Sequence, residues 1–414
     1  MRRARPARAR QGRFCHRSHR RRSGARQPAD RRGPHDVRPH ARARHHGRPQ
    51  PARDARLAAA HPQLPHARAQ FRIAVWTWPV GRAVHVRRRR PGQVPHRRRR
   101  DRRADRPPAQ PARPRADGRS RNDVHGIIAQ LHLAMLKLHN RVVDKVRADG
   151  SALDQVFAQA QRNVRWHLQW IVLNEFLPLT AGEEIMADIA AHGRRYFNPA
   201  GKAFIPVEFA DAAYRFGHAQ IRVRYDLNGR TQAGVYPDLA GGRAIPASHV
   251  VDWRRFLALN PAVAPQASKR IEAHVAHTLI DLPESVVGQT PLPEYHSLAC
   301  RDLTRARALN LPSGEDIARH IGAKPLSPDE AGLREFGWNA PTPLWYYILK
   351  EASVRQRGER LGEVGARIVA EVLHGIIQDD QTSYVAADPA WRPVLPSAAP
   401  GSFTLADAVR FAIA

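Results

Sequence analysis

The stretch Asp211-Ala212-Ala213-Tyr214-Arg215-Phe216-Gly217-His218-Ala219-Gln220-Ile221-Arg222-Val223-Arg224-Tyr225-Asp226-Leu227-Asn228 decides how the rest of this 414-residue chain is read. At its centre Arg215 and His218 stand three residues apart among the apolar neighbours Ala212, Ala213, Tyr214 and Phe216. On a helical segment that spacing puts a permanent cation and a neutral imidazole on one face. Such a face suits an anionic, metal-bearing planar group, with the imidazole on the metal and the guanidinium on a carboxylate. A surface helix with a hydrogen-bonded histidine has the same spacing, so the pair alone leaves both readings open.

Other motifs stand in a fixed order around it. Upstream, Arg121-Asn122-Asp123 precedes Leu131-His132 and then Leu138-His139-Asn140-Arg141. Downstream come Leu282-Pro283-Glu284-Ser285-Val286-Val287-Gly288, Ser297-Leu298-Ala299-Cys300-Arg301-Asp302-Leu303 and Leu311-Pro312-Ser313-Gly314. Pro343-Leu344-Trp345-Tyr346-Tyr347 and Gly365-Ala366-Arg367-Ile368-Val369-Ala370-Glu371 complete the series. Together these blocks resemble the animal-type haem peroxidases, the bacterial branch of the peroxidase–cyclooxygenase superfamily. Residues 211–228 correspond to that family's proximal-histidine helix.

The resemblance implies a mainly α fold and a set of roles. His218 matches the proximal ligand, which binds haem iron through Nε2 while its other nitrogen needs an acceptor to fix tautomer and basicity. The family places an amide side chain there, and the matching residue here is Asp302. A carboxylate pulls the imidazole toward imidazolate and favours oxidised over reduced iron. Arg215 and Arg305 match propionate-binding arginines, and Arg121 matches the distal arginine that polarises peroxide. The glutamate that some members esterify to haem falls at Val124, which cannot form that link, so the haem implied is b-type and non-covalent. The implied reaction consumes hydrogen peroxide and an electron donor whose nature the sequence does not give.

The resemblance also implies something that this chain lacks. The family's distal histidine and its neighbouring calcium-binding aspartate belong to an Asp-His-Asp-like motif upstream of the arginine. No such motif occurs in residues 1–120, where His35-Asp36 lies among Arg and Pro. The calcium site is therefore not identifiable. Loss of a general base costs a factor of roughly 10²–10⁴, so the expectation is a peroxidase by family whose distal part is missing and whose activity in this chain is reduced or absent.

Charge divides the chain at the same place. Residues 1–120 hold 36 Arg, no Lys, no Glu and 6 Asp, a net of +30, of a total of +31. The remaining 32 basic and 31 acidic residues make residues 121–414 nearly neutral. The first segment is Arg, Ala, Pro and His without a sustained hydrophobic period, so it is expected to be disordered. The second has ordinary globular composition and is expected to form the peroxidase-like helical domain.

Arg, Ala, Pro and His are what GC-rich DNA encodes out of frame. Residues 92–97, GQVPHR, are compatible with bases that read Gly-Lys-Phe-Leu-Ile-Gly one position later. Residues 115–120, RADGRS, are likewise compatible with Ala-Leu-Met-Gly-Asp-Pro, which leads into Arg121 as members of the family do. Both windows use the same shifted frame, and out-of-frame translation of residues 1–120 is the reading favoured. The alternative is a genuine basic arm, making the chain a nucleic-acid-binding protein with a helical scaffold domain. Such an arm would hold phosphate backbones without sequence preference and lose affinity with salt. Trp76 and Trp78 are its only tryptophans for base stacking.

The two cysteines, Cys15 and Cys300, give no disulfide framework or zinc spacing. No signal-peptide pattern and no membrane-spanning run is visible, and no compartment is read. From Gly126 onward Ile127, Ile128, Leu131, Met135, Leu138, Val142, Val143 and Val146 follow a 3.6 period and predict a long amphipathic helix. A second helix is predicted from Ala152 to Leu177, ended by Pro178. Ser313 with Asp316 predicts a capped helix closed by Gly322, and Ser327-Pro328 with Glu330 one closed by Gly337. Residues 219–250 predict loop with one short hairpin, and residues 388–402 an irregular stretch. His125, His132 and His139 recur every seven residues, but two helical turns span about 10 Å, too far to share a metal ion. They read as packing histidines, and His139-Asn140 is a structural feature of the family helix.

Overall fold

The computed structural model describes residues 123–199, 203–290 and 292–414. The expectations for residues 1–120, and Arg121 itself, lie outside the described residues.

Two long helices form the first layer. Helix α1, Gly126–Ala148, buries Leu133, Leu138, Val142, Val143 and Val146 along one stripe, as its period requires. Ile128, expected on that stripe, is instead 51% exposed. The stripe packs on α2, Val156–Ile171, and on the last helix, whose cap comes from Thr404; the shared core includes Ala160, Val164, Phe403 and Val409. His139 packs its ring against Phe157 at 5.4 Å, in keeping with its reading as a packing residue.

The second helix departs from its predicted end. After Ile171 the backbone passes through one π turn, Val172–Phe176, and resumes as α3, Leu177–Ala181, with Pro178 in its first turn. Proline cannot donate to the carbonyl four residues back and its ring clashes there. The wider π turn relieves both conflicts, so the chain continues through Pro178. It stops at Gly182, whose φ of 94° suits glycine. Helix α4, Glu183–His192, follows directly.

The second layer holds the largest core. Its elements are α5, Val207–Asp211; α6, His277–Ile280; α7, Glu284–Val287; α8, Leu298–Ala308; α9, Gly314–His320; α10, Pro328–Ala331; α11, Leu344–Gln356; and α12, Glu363–Gln378. Tyr347, Ile348 and Leu349 of α11 and Val364, Val369 and Ala370 of α12 are fully enclosed, with Leu177, Phe209, Phe216 and Leu361 packed around them. Gly314 lets α9 lie against the Tyr347 ring, since a Cβ there would come within 1.8 Å of Tyr347 Cγ. The Ser313 cap is present as predicted, its hydroxyl accepting from the Asp316 amide. Ser327 and Glu330 form the predicted capping box, but that helix closes at Gly332, and a separate 3₁₀ turn, Arg334–Phe336, reaches Gly337. Glycine in the left-handed region ends each piece, so the sequence held one more stop than was read from it.

Residues 219–250 contain the single hairpin expected: β1, Arg224–Asp226, pairs antiparallel with β2, Gln232–Gly234. The chain ends with α13, Tyr384–Ala387, the irregular stretch 388–402, and α14, Leu405–Ile413. Among the described residues no helix is long and apolar enough to cross a membrane.

Candidate functional site

The site is built at the end of α5. After Asp211 the chain breaks at Ala212, with φ −136° and ψ −74°, and tightens into a 3₁₀ helix, Ala213–His218. Three residues per turn eclipses positions i and i+3, so Arg215 and His218 stand one above the other. Ala212, Ala213, Phe216 and Ala219 face the core and leave that pair on the outer side. The buried Trp345 of α11 donates its indole N–H to the Arg215 carbonyl at 3.3 Å and ties the turn to the layer beneath. Tyr214 stacks on Phe209 at 4.6 Å.

Helix α8 supplies the partner. Ser297 caps it, and of its residues Asp302 and Ala306 turn fully inward. Asp302 is 1% exposed, and its Oδ2 accepts from His218 Nδ1 at 2.7 Å. Its Oδ1 accepts from Arg215 Nη1 at 3.3 Å. Both carboxylate oxygens are thus committed, which is what a charge buried this deeply needs. The structure therefore brings together residues 84 and 87 positions apart in the chain.

Arg215 reaches a second carboxylate. Its Nη2 donates to Asp211 Oδ1 at 2.9 Å, while its Nε is buried without a hydrogen-bond partner among the described residues. Arg305, one helical turn beyond Asp302, approaches the same Asp211 oxygen through Nε at 3.5 Å. Burial and the neighbouring Arg215 charge lower the Arg305 pKa. Two arginines and two aspartates balance in charge around the imidazole. Sequence reading quoted Asp211 but gave it no role. Its signal was the i, i+4 spacing to Arg215, which ordinarily marks a surface pair.

The donor set fits a planar, metal-bearing anion. His218 has Nδ1 held by a carboxylate and Nε2 without a hydrogen-bond partner among the described residues, on a side chain 27% exposed. That is the pattern of a metal-ligating imidazole with its orienting acceptor. A Cβ on Gly217 would meet nothing within 4 Å, so the backbone beside His218 borders open space. Val124, at the head of α1, is exposed and apolar and offers no group for an ester bond. Among the described residues no group of three or more His, Cys, Asp and Glu is placed to hold a metal ion, so no calcium site is assigned there. Arg121 lies outside the described residues.

A sequence profile of the animal haem peroxidases matches residues 84–327, which include all five residues of this cluster. Heme peroxidase 2 of Caenorhabditis elegans is 31% identical over 129 residues, covering 29% of this chain and 18% of that protein. Peroxidasin of Drosophila melanogaster is 29% identical over 140 residues, 33% of this chain and 8% of the relative. The chain therefore matches less than a fifth of the length of either. Among solved structures, peroxidase A from Dictyostelium discoideum superposes with a TM-score of 0.52 at 18% identity, covering 71% of this chain and 59% of that one. A fatty acid alpha-dioxygenase from Arabidopsis thaliana does so with a TM-score of 0.52 at 12% identity, covering 80% and 56%. Those two likenesses establish the helical fold.

Proposed function

Since the chain belongs to the animal haem peroxidase family, we propose that it binds haem on His218 and reduces hydrogen peroxide with electrons from a separate donor. The observation that carries this reading is the 2.7 Å hydrogen bond from His218 Nδ1 to the buried Asp302, which leaves Nε2 as the ligating nitrogen. Bound haem supplies the iron redox chemistry that peroxide reduction requires.

The chain's own residues orient that group and set its charge. Asp302 holds the Nδ1 proton, fixes the ring and raises the basicity of Nε2. Its being a carboxylate rather than an amide pushes electron density toward the iron and lowers the reduction potential. Arg305, with Arg215 behind it, would hold the haem carboxylates through charge-assisted hydrogen bonds. Val124 leaves the haem b-type and non-covalent. By the match of motifs Arg121 would be the cation that stabilises negative charge developing on peroxide. No residue of 1–120 is assigned the distal proton transfer, and turnover by this chain is correspondingly low.

Reconstitution with haem tests the reading. The wild-type chain gives a histidine-ligated absorption spectrum, and His218→Ala loses it. Arg121→Ala keeps the spectrum and lowers only peroxide turnover, by a factor of roughly 10² if it acts as an electrostatic stabiliser. A spectrum unchanged in His218→Ala would show that the ligand has been misassigned.

A further inference from the structure

Two arginines of this site share one carboxylate that the proposed reaction does not use. Asp211 closes α5, is buried, and presents Oδ1 to Arg215 Nη2 at 2.9 Å and to Arg305 Nε at 3.5 Å. Its two partners come from different elements, the 3₁₀ turn and α8, so it ties together the pieces that carry His218 and Asp302. The consequence differs for the two cations. Arg215 spends both terminal nitrogens on aspartates, one on Asp211 and one on Asp302. Arg305 is held only by Nε, and its terminal nitrogens make no hydrogen bond to the described residues.

We propose that Asp211 is a positioning residue that sorts these arginines, turning Arg215 onto Asp302 and presenting the terminal nitrogens of Arg305 to the carboxylates of the cofactor. The inference rests on the haem reading above for the identity of that cofactor, but its geometric half does not. Asp211 takes half of the Arg215 guanidinium, so Asp302 keeps one weak contact to it, at 3.3 Å, and the shorter bond, at 2.7 Å, to His218. Without Asp211 both Arg215 terminal nitrogens fall to Asp302, its hold on His218 weakens, and one negative charge leaves the neighbourhood of the iron. Both effects favour the reduced metal. Arg305, no longer held at Nε, pays side-chain entropy to meet an anion.

The substitution Asp211→Asn keeps size and removes charge. In haem-free, ¹⁵N-labelled protein the guanidinium signals of Arg215 and Arg305 are restrained by their carboxylates. Asp211→Asn releases both, whereas Asp302→Asn releases only Arg215. In the haem-loaded protein Asp211→Asn weakens haem binding by about tenfold, the cost of ordering the released Arg305 side chain, and raises the midpoint potential. Asp211→Glu, which keeps the charge, returns the potential toward wild type. A role in stability alone would lower the melting temperature and leave the potential where it was, and that result overturns the proposal. So does Asp211→Asn with both guanidinium signals still restrained. Wild-type protein that takes up no haem, with the signals behaving as stated, refutes the haem reading and the cofactor half of this inference while the bridge itself stands.

Discussion

Single residues carry unusual electrostatic weight here, and Glu351 shows it away from the site. It is buried on α11, and its Oε2 accepts from the Val364 amide at 3.0 Å, at the start of α12. Gly362 gives it room, since a Cβ there would lie 2.4 Å from Glu351 Cγ. Burial pushes its carboxyl up from 4.5 to about 7, against the pull of the Val364 and Gly365 amides. A folded pKa above the unfolded one means that the folded state holds the proton more tightly. The associated stability is fully present below pH 4.5 and is lost as pH rises to about 7. At 1.36 kcal/mol per unit this amounts to roughly 3 kcal/mol. Glu351→Gln, neutral throughout, is expected to flatten the denaturation midpoint between those two pH values, and wild-type steepness in the variant would assign the dependence elsewhere. Asp302 is the contrasting residue, a buried carboxylate whose two oxygens meet a cation and an imidazole N–H. Its pairing with His218 was expected only from the family resemblance of the two motifs that carry them. Asp211 was not, because burial of an i, i+4 pair is decided by α8, which lies about ninety residues further on.

At the scale of elements, period and capping were readable and interruption was not. The stripe of α1 and the Ser313 and Ser327 caps depend on neighbours within four residues, so local pattern determined them. Pro178 failed as a stop because the π turn before it rearranges the hydrogen-bond ladder, an arrangement no single residue announces. Buried histidines on the α1–α2 pair give these helices their own acid response. Burial lowers His139 and His167 from 6.5 to about 4. The pair's contribution is therefore present above pH 6.5 and is lost as pH falls toward 4. Each histidine is worth roughly 3 kcal/mol by the same conversion. Amide protection in α1 and α2 is expected to fall over that window, and His167→Gln, which keeps an acceptor for the Leu395 amide, is expected to blunt the loss. Where elements meet closely, small residues decide. Gly314→Ala drives a methyl into the Tyr347 ring and should cost about 3 kcal/mol or abolish folding, read from the urea midpoint.

The whole molecule combines a nearly neutral helical part with a strongly basic one. In residues 121–414 basic and acidic residues balance to within one charge, whereas residues 1–120 carry +30. A helical domain with two packed layers needs no such excess, and the proposed chemistry does not use it. The profile match begins at residue 84, within the basic segment, and reaches past the Asp302–Arg305 turn. On the proposed reading His218, Asp302, Arg215 and Arg305 make up the family's proximal half, while residues 1–120 contain no Asp-His-Asp motif. We propose that the explanation lies in the gene, because windows before Arg121 are compatible with family-like peptides in one shifted frame. Resequencing across those codons is the direct measurement, and a single-base difference that restores an Asp-His-Asp helix is the expected result. A chain carrying the restored frame should turn over peroxide faster by orders of magnitude, as acid–base and electrostatic contributions return together. Haem affinity should change less than turnover, because His218 and its carboxylate are the same in both chains. If the restored chain gains affinity but no turnover, the distal residues hold haem rather than move protons, and the division of labour argued here between the two sides of the site is wrong.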